Sequence, residues 1–525
     1  MIKNNLRKFI RYFLVWLIFF VIFLAWHSMH VGLLGTDDPY YHAKHSALMA
    51  ESNNYTLVEP WVPFHYLSYA PADLWWLYHV IAAFFIKFFG IIWGAKIFSA
   101  IAAALVFTVF YFILKQLKIS YPFIWTFLLF VSSSTFTIRL LFERPFVLAI
   151  VFLPLCFYFI YQTKYWLLFF TLITYALSYE LAIFALFLAL VFLAVDWHLT
   201  KKINLRPLVF SLGGLTAGIL LHPQPLNYIY GAYTAFVEVL YLKFIGVNLN
   251  IGAELQVHGF SDFLENNIII IGFYLTAVAL FIKTLLAQES NRLQLALFLI
   301  SVFWFSVSMF VPRGTEYWLP FGYLFIAAVF NSGARSDDWT AARAFIKQKA
   351  KVGVILFFLY SVIIVFAGYN MFNIFNVLES RNQNDVDIYY QRANDWLIKN
   401  TPPNSMVFYP IWSMFPQMFF FNSHNRYLTA FDPTFLYEYN PAVYYTWANI
   451  AYRGVYCPHE WPCLEFSPRQ EIRGVKFALK NILNAPTAVL PNQPDSWVYK
   501  VFSTLTGDFI KVYENKELVI FKVKD

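Results

Sequence analysis

The chain has 525 residues, of which 60% are hydrophobic, 21% are aromatic and only 13% are charged. This composition excludes a soluble globular protein, and apolar runs of spanning length recur from residue 12 to residue 370, which predicts a polytopic α-helical membrane protein. The formal net charge of +8 does not indicate a nucleic-acid partner, because basic residues of a membrane protein belong on its cytoplasmic side.

The first apolar run, residues 12–29, follows a basic flank that extends from Lys3 to Arg11. It lacks a small-residue cleavage site, so we interpret it as an uncleaved first span rather than a signal peptide. The basic flank predicts a cytoplasmic N-terminus, and residues 35–45 are then expected on the outer side.

Residues 35–45 read GTDDPYYHAKH and place two adjacent carboxylates, Asp37 and Asp38, where the chain leaves the membrane. His42 is one of several tyrosine, histidine and lysine side chains around them. A carboxylate pair at an interface is costly without a partner, and a divalent cation is a natural one. The alternative is that the two acids only end a helix and face water.

The next apolar run, about residues 73–90, contains Asp73, His79 and Lys87 among many aromatic residues. If it crossed the membrane, the following basic loop would lie on the outer side. We therefore predict an amphipathic helix along the interface, within a first external region of about residues 30–94.

The remaining apolar runs bring the predicted number of spans to about eleven, and each short inside loop between them is basic. The runs are 95–114, 121–137, 145–162, 165–178, 181–197, 206–221, 267–282, 293–311, 316–330 and 351–369. This topology places outside the segments 138–145, 222–265, 312–318 and 371–525.

The C-terminal part has a different composition and predicts a soluble, extracytoplasmic α/β domain over 371–525, after a transmembrane domain over 1–370. Its predicted elements are helices at 385–400 and 471–483, strands at 405–410 and 487–490, and a hairpin of 508–514 with 517–523.

Two of the three cysteines, Cys457 and Cys463, lie in CPHEWPC on the predicted outer side. A disulfide is the default in an oxidising compartment. A zinc site with His459 is the alternative, although a fourth ligand is missing nearby. Cys156 lies in a span, where it acts as a small apolar side chain.

The acidic residues concentrate at the outer ends of spans and in outer loops, and the span centres are nearly free of them. A transporter or pump would place such groups near the middle of its spans. The pattern therefore indicates a site at the outer surface, where a metal or arginine residues could bind the phosphates of a lipid-carried head group.

With these features the chain resembles the C-type (GT-C) membrane glycosyltransferases, which use polyprenyl-linked sugar donors. DDPYYHAKH is similar to the DPYYH-type motif of the archaeal and bacterial oligosaccharyltransferase catalytic subunit, which implies that Asp38 binds metal and activates the acceptor. Glu143 in RLLFERP matches a second acidic motif, but Arg144 and Pro145 replace its second acid. Residues 250–255, NIGAEL, resemble a third motif.

From these residues and this resemblance together we predict three sets of site residues and a divalent metal, magnesium or manganese. The catalytic set is Asp37, Asp38 and Glu143; the set for substrate and lipid phosphate is His42, Arg144, His222 and Arg313; the metal set is Asp38, Glu143 and Glu254. Simpler alternatives are a Glu143–Arg144 ion pair, a solvated Glu254 and an interfacial anchor at Arg313.

We therefore predict a multi-pass enzyme of the cytoplasmic (inner) membrane that transfers a polyprenyl-linked sugar to a glycan, a lipid or a protein. The alternatives are a lipid-linked glycan flippase or transporter, and an oligosaccharyltransferase proper that acts on Asn. No nucleic-acid partner is expected.

One departure from the oligosaccharyltransferases concerns the acceptor. Those enzymes carry a Trp-Trp-Asp motif whose carboxylate binds the acceptor hydroxyl, and IWSMFPQ at 411–417 has Ser413 and Met414 after Trp412 instead. We hypothesise that Asn-x-Ser/Thr sequons are not recognised. The alternative is that another acid, such as Asp432, takes this role.

Overall fold

The structure is a computed structural model, and it describes residues 2–35, 37–58, 61–247, 249, 252, 259–289, 291–333, 350–383, 386–463 and 468–525. Most of the described residues are helical. The helices up to residue 221 are α1 (Ile2–Ser28), α2 (Asp38–Ser52), α3 (Trp76–Phe89), α4 (Ile91–Gln116), α5 (Pro122–Val131), α6 (Ser134–Leu140), α7 (Phe146–Tyr161), α8 (Tyr165–Ser178), α9 (Phe184–Thr200) and α10 (Arg206–Leu221).

The helices after residue 221 are α11 (Pro225–Tyr233), α12 (Val239–Phe244), α13 (Phe260–Leu286), α14 (Arg292–Phe310), α15 (Gly314–Gly333), α16 (Ala350–Gln383), α17 (Val386–Asn400), α18 (Phe415–Phe421), α19 (Pro433–Tyr439), α20 (Pro441–Arg453), α21 (Pro468–Asn481) and α22 (Trp497–Thr504). The strands are β1 (Met406–Phe408), β2 (Arg426–Tyr427), β3 (Thr487–Pro491), β4 (Phe509–Glu514) and β5 (Leu518–Val523).

The chain forms two compact units, each assembled from three separate segments. The helical unit comprises Met1–His30, Lys96–Leu221 and Ala253–Ser380. The sheet unit comprises Val31–Ala95, His222–Gly252 and Arg381–Asp525.

Among the described residues, six helices are long and apolar enough to cross a membrane. They are Leu6–Ser28, Ile91–Gln116, Glu180–Thr200, Phe260–Leu286, Arg292–Phe310 and Ser361–Ser380. The protein is therefore a multi-pass helical membrane protein, and the count of about eleven spans stays a prediction.

The sequence predicts one span at 121–137, but this apolar run is not a single straight helix. It is divided into α5 and α6, which meet at an angle of 91°. The break follows from local chemistry, because the side chain of Ser133 accepts a hydrogen bond from the backbone N–H of Phe136 and caps α6.

The break leaves backbone carbonyls at the end of α5 without a helical partner, and the last two of them receive side-chain donors. Thr137 Oγ1 donates to the carbonyl of Phe130 at 2.8 Å, and Asn370 Nδ2 of α16 donates to the carbonyl of Val131 at 3.0 Å. Lipid offers no replacement for these donors, so the two side chains remove the cost of leaving these carbonyls without hydrogen bonds.

The segment 222–265, which the sequence predicts on the outer side, is partly helical. It contains α11 and α12, and α13 already begins at Phe260. Pro225 occupies the first turn of α11, where its missing N–H does not interrupt the helix.

The five strands form one sheet in the order β2-β1-β3-β5-β4. Strand β1 runs parallel to β2 and β3, whereas β5 runs antiparallel to β3 and β4. The predicted strands and the hairpin of the C-terminal part are observed within one or two residues of their predicted bounds. The helix predicted at 385–400 is observed at Val386–Asn400, and the one predicted at 471–483 is observed at Pro468–Asn481, so it begins three residues earlier than predicted.

Both faces of the sheet are buried at the central strands β3 and β5, whose alternate side chains point to opposite sides and enter different hydrophobic clusters. Val489 and Ile520 belong to one hydrophobic cluster, and Leu490 and Phe521 belong to the other. The second cluster includes Trp447 of α20, which is fully buried and whose Nε1 donates to the carbonyl of Tyr409 at 2.9 Å.

Cys457 and Cys463, which follow α20, form a disulfide, with their Cα atoms 6.1 Å apart. The structure therefore shows the first of the two predicted alternatives. A zinc site at these thiols with His459 is not compatible with the bonded pair.

We predict that Trp447→Ala lowers the free energy of unfolding of the sheet unit by about 3–5 kcal/mol, because it removes a large buried ring and leaves a cavity. The same substitution at Trp497, which is 68% exposed, should change it by less than about 0.5 kcal/mol. Thermal melting of both variants in detergent measures the difference, and equal melting temperatures would contradict the prediction.

Candidate active site

The segment Asp37–His45 forms the start of α2, in the sheet unit. Pro39 lies in the first helical turn, where its fixed φ angle suits a helix start. Asp37 is the N-cap residue, but its side chain makes no capping hydrogen bond, and Asp38 follows in the first turn. Both carboxylates are partly exposed and lie at the positive end of the helix dipole.

Two adjacent tyrosines hold this end of α2 in place. The hydroxyl of Tyr40 donates to Asp387 Oδ2 at 2.5 Å, and Gln417 Nε2 donates to the other oxygen of that carboxylate at 3.2 Å. Gly32 makes room for the contact, because a Cβ atom there would lie 2.3 Å from Asp387 Oδ2. The ring of Tyr41 is buried in the core of the sheet unit.

His42 begins a buried chain of hydrogen bonds. Its Nδ1 lies 2.8 Å from Nε2 of His79, and Nδ1 of His79 lies 2.7 Å from Asp73 Oδ2. Burial alone would raise the pKa of Asp73, but the charges of His79 and His45 and its hydrogen bonds lower it to about 2. The carboxylate is therefore ionised at neutral pH and orients the imidazole of His79.

His222 also lies beside Asp73, but both of its ring nitrogens are bonded to the backbone. Nε2 lies 2.9 Å from the carbonyl of Asp73, and Nδ1 accepts from the N–H of Gln224 at 3.0 Å. Burial lowers the pKa of His222, which favours the neutral ring. This geometry favours a structural role over the predicted contact with lipid phosphate.

Glu143 and Arg144 lie in the short turn between α6 and α7, in the helical unit, and both are buried. Oε1 of Glu143 lies 3.4 Å from Nδ1 of His27, near the end of α1. The guanidinium of Arg144 lies over the ring of Phe146, 5.7 Å from its centroid. The structure thus gives Glu143 a neighbour, His27, that sequence reasoning missed.

Sequence reasoning also missed Lys96. A lone lysine in an apolar helix is a recognisable signal, because a buried charge needs a partner and often marks a functional site. Its side chain is fully buried. Its Nζ donates to the carbonyls of His27 at 3.0 Å and His30 at 2.6 Å. A cation at the C-terminal end of α1 complements the helix dipole.

Arg313 lies directly before α15 and is partly exposed. It belongs to a group of charges around Tyr179 that also includes Arg144, Glu180 and Glu316. One member of the group is paired with α6, because Arg139 Nε donates to the carboxylate of Glu316.

The predicted site residues are thus distributed over both units. Asp37, Asp38, His42 and His222 belong to the sheet unit, and Glu143, Arg144 and Arg313 belong to the helical unit. Glu254 lies outside the described residues. Within the sheet unit His42 is linked to the Asp73 carboxylate through His79, and His222 contacts the Asp73 carbonyl. Within the helical unit Arg144 and Arg313 share the surroundings of Tyr179.

No protein-family model and no curated protein sequence matches the chain. Several solved structures do match it. The structure of ArnT from Cupriavidus metallidurans bound to undecaprenyl phosphate has a TM-score of 0.54 and 12% identity, over 98% of this chain and 97% of that chain.

Two structures of the oligosaccharyltransferase AglB from Archaeoglobus fulgidus also match, each at 12% identity over 93% of this chain and 70% of that chain. One is a complex with an inhibitory peptide and a dolichol-phosphate, with a TM-score of 0.60. The other is a complex with zinc and sulfate, with a TM-score of 0.55. ArnT and AglB are GT-C glycosyltransferases, so the predicted resemblance is confirmed at the level of the fold.

We predict that Lys96→Met destabilises the helical unit by about 1–3 kcal/mol, because two buried carbonyls at the end of α1 lose their donor. Lys87→Met is the matched control, since Lys87 is exposed and its Nζ donates to Asn53 Oδ1 at 3.0 Å. Thermal melting in detergent should show a clear decrease for Lys96→Met alone, and a decrease of the same size in both variants would contradict the assignment.

Proposed function

We propose that the protein is an integral membrane glycosyltransferase that uses a polyprenyl-phosphate- or polyprenyl-diphosphate-linked sugar at the outer membrane face. The fold supports this proposal, and so do the ligands of two similar proteins, undecaprenyl phosphate in one and dolichol-phosphate in the other. The acceptor is a glycan, a lipid or a protein.

The main support for the proposal is the position and exposure of Asp38. It stands in the first turn of a helix whose start is held by Tyr40 and Tyr41, and it remains partly exposed. A rigidly positioned, accessible carboxylate can orient the acceptor hydroxyl or amine and accept its proton as the glycosidic bond forms.

The residues at this helix start also fit a divalent cation. Asp37 caps α2 only through its backbone, so its carboxylate is not committed to the helix, and carboxylate oxygens are preferred ligands of magnesium and manganese. Zinc and sulfate in one similar structure support a metal here. When bound, such a cation supplies positive charge that makes the lipid phosphate a better leaving group.

The positions of His42 and of the two arginines support contacts with donor phosphate. Asp73 fixes the orientation of His42 through His79. In the helical unit, Arg144 and Arg313 place two guanidinium groups around Tyr179, and arginine is suited to phosphate binding. We propose that each of these three side chains binds the donor, and that water exclusion favours transfer over hydrolysis.

We propose the topology that the basic loops indicate, with about eleven spans, a cytoplasmic N-terminus and an extracytoplasmic C-terminal domain in the cytoplasmic membrane. Helix α3 supports the interfacial assignment of residues 73–90. Its 14 residues extend about 21 Å, which is short of the ~30 Å hydrocarbon core.

We predict that Asp38→Asn reduces sugar transfer by about 100-fold or more with normal expression, because it keeps the size of the side chain and removes its charge. The assay incubates purified protein with candidate polyprenyl-linked sugars and follows release of the lipid phosphate. Asp395→Asn, at an exposed position of α17, is the control for loss of a negative charge. Activity of Asp38→Asn within a few-fold of wild type would falsify the catalytic assignment.

We further propose that the acceptor is not an Asn-x-Ser/Thr sequon. Residues Trp412–Met414 form a short 3₁₀ helix, and Met414 is buried, so an apolar side chain stands where a carboxylate would be needed. Asp432 is engaged elsewhere, because its Oδ1 caps α19 and accepts from the N–H of Thr434 at 2.8 Å.

A buried acceptor hydroxyl without a charged partner would lose roughly 1.5–3 kcal/mol of binding free energy. We therefore expect an Asn-x-Thr peptide and its Gln-x-Thr counterpart to be equally poor acceptors in the donor-release assay. Efficient transfer to the Asn peptide alone would show that the protein is an oligosaccharyltransferase proper.

A further inference from the structure

The donor atoms of His45, Asp73 and His79 converge inside the sheet unit. All three residues are buried, and one donor atom from each lies within 4.8 Å of the others. His45 lies on α2, Asp73 lies just before α3, and His79 lies in the first turns of α3. From this geometry we propose that the three residues bind a divalent transition-metal ion of the zinc class, which joins α2 to α3.

The distances between the donor atoms suit one ion. Bonds of ~2.0–2.2 Å from zinc to nitrogen or oxygen place two ligand atoms ~3–4 Å apart. His45 Nε2 and Asp73 Oδ2 are 3.6 Å apart, which is within that range. Asp73 Oδ2 and His79 Nδ1 are 2.7 Å apart and need to separate by only ~0.5 Å.

His45 Nε2 gives an independent indication of a ligand. This nitrogen is buried and makes no hydrogen bond of ordinary length with a described residue; its neighbours are the Asp73 carboxylate, at 3.6 Å, and the backbone of Leu57. A buried polar atom without a partner is costly. A cation between the ring and the carboxylate removes that cost and is attracted by the negative charge.

The surroundings hold each ligand in the orientation that a metal requires. The hydroxyl of Tyr41 lies 3.3 Å from Nδ1 of His45, and Nδ1 of His42 lies 2.8 Å from Nε2 of His79. Metal-binding imidazoles commonly have their second ring nitrogen held in this way. The other oxygen of Asp73 accepts from the N–H of Trp75 at 3.0 Å.

This site is separate from the cation proposed at the start of α2. His45 follows Asp38 by seven positions, which is about 10 Å along the helix axis. A metal at His45 therefore does not contact the carboxylates of Asp37 and Asp38. Its link to the proposed donor contacts is the hydrogen bond between its ligand His79 and His42. The metal fixes α2, and with it the carboxylates at the helix start, to the segment that leads into α3.

The test measures bound zinc in the full chain, purified in detergent without a polyhistidine tag. The protein is treated with a chelator, reloaded with zinc chloride, separated from free metal and analysed by mass spectrometry of the element. We expect about one zinc per chain in wild type and a loss of at least tenfold in His45→Gln and Asp73→Asn.

Two control variants make the result specific. His65→Gln changes a buried histidine that lies against aromatic rings, and Asp38→Asn changes the cation site of the proposed function; both should retain one zinc. Cobalt in place of zinc should give visible d–d absorption bands in wild type that are lost in His45→Gln.

Gel filtration and circular dichroism establish that each variant is folded. Absence of retained zinc in wild type, equal zinc in wild type and His45→Gln, or loss of the zinc in Asp38→Asn would each overturn the proposal. These outcomes are independent of sugar transfer, so the metal site and the proposed function can fail separately.

Discussion

The hydrogen bond from Tyr40 to Asp387 and the burial of the neighbouring Tyr41 determine where the first acidic segment lies. The two tyrosines are consecutive in α2, so they leave the helix in different directions and fix its rotation as well as its position. The partners are more than 340 positions away in the chain. Without residues after Arg381, α2 would keep its packing against α3 but lose the contacts of Tyr40 and Tyr41 that fix the helix start.

This dependence explains why the sheet unit combines distant segments. The core around Val407 and Ile520 also contains Tyr41 and Val62, so residues 31–95 contribute to the same hydrophobic cluster as the sheet. The predicted domain boundary at residue 371 was placed where the composition changes from apolar spans to mixed sequence. It does not reveal that an earlier segment completes the core.

Local patterns in the sequence were sufficient for much of the fold. The apolar runs predicted the long helices, and alternation with turn signals predicted β3 and the β4–β5 hairpin. The break at Ser133 was missed because hydropathy averages over a window, although a capping serine in a run of three serines is a local signal.

The candidate site was predictable only where its residues are contiguous. Asp38 and His42 stand in one motif, but His27, Lys96 and Glu143 come together through the packing of α1, α4 and the turn before α7. Asp73 and His79 were noticed only as charges that made the span at 73–90 ambiguous. Their partnership with His45 depends on how α2 and α3 pack, which no spacing in the sequence encodes.

The break between α5 and α6 has a consequence for the order of assembly. The carbonyl of Val131 accepts a hydrogen bond from Asn370, which is synthesised 239 residues later. Until α16 enters the bilayer, that carbonyl requires water or another temporary donor, because lipid provides none. Helix α16 therefore acts late in biogenesis, because it supplies this donor, and a chain truncated before residue 370 would leave the carbonyl of Val131 without it.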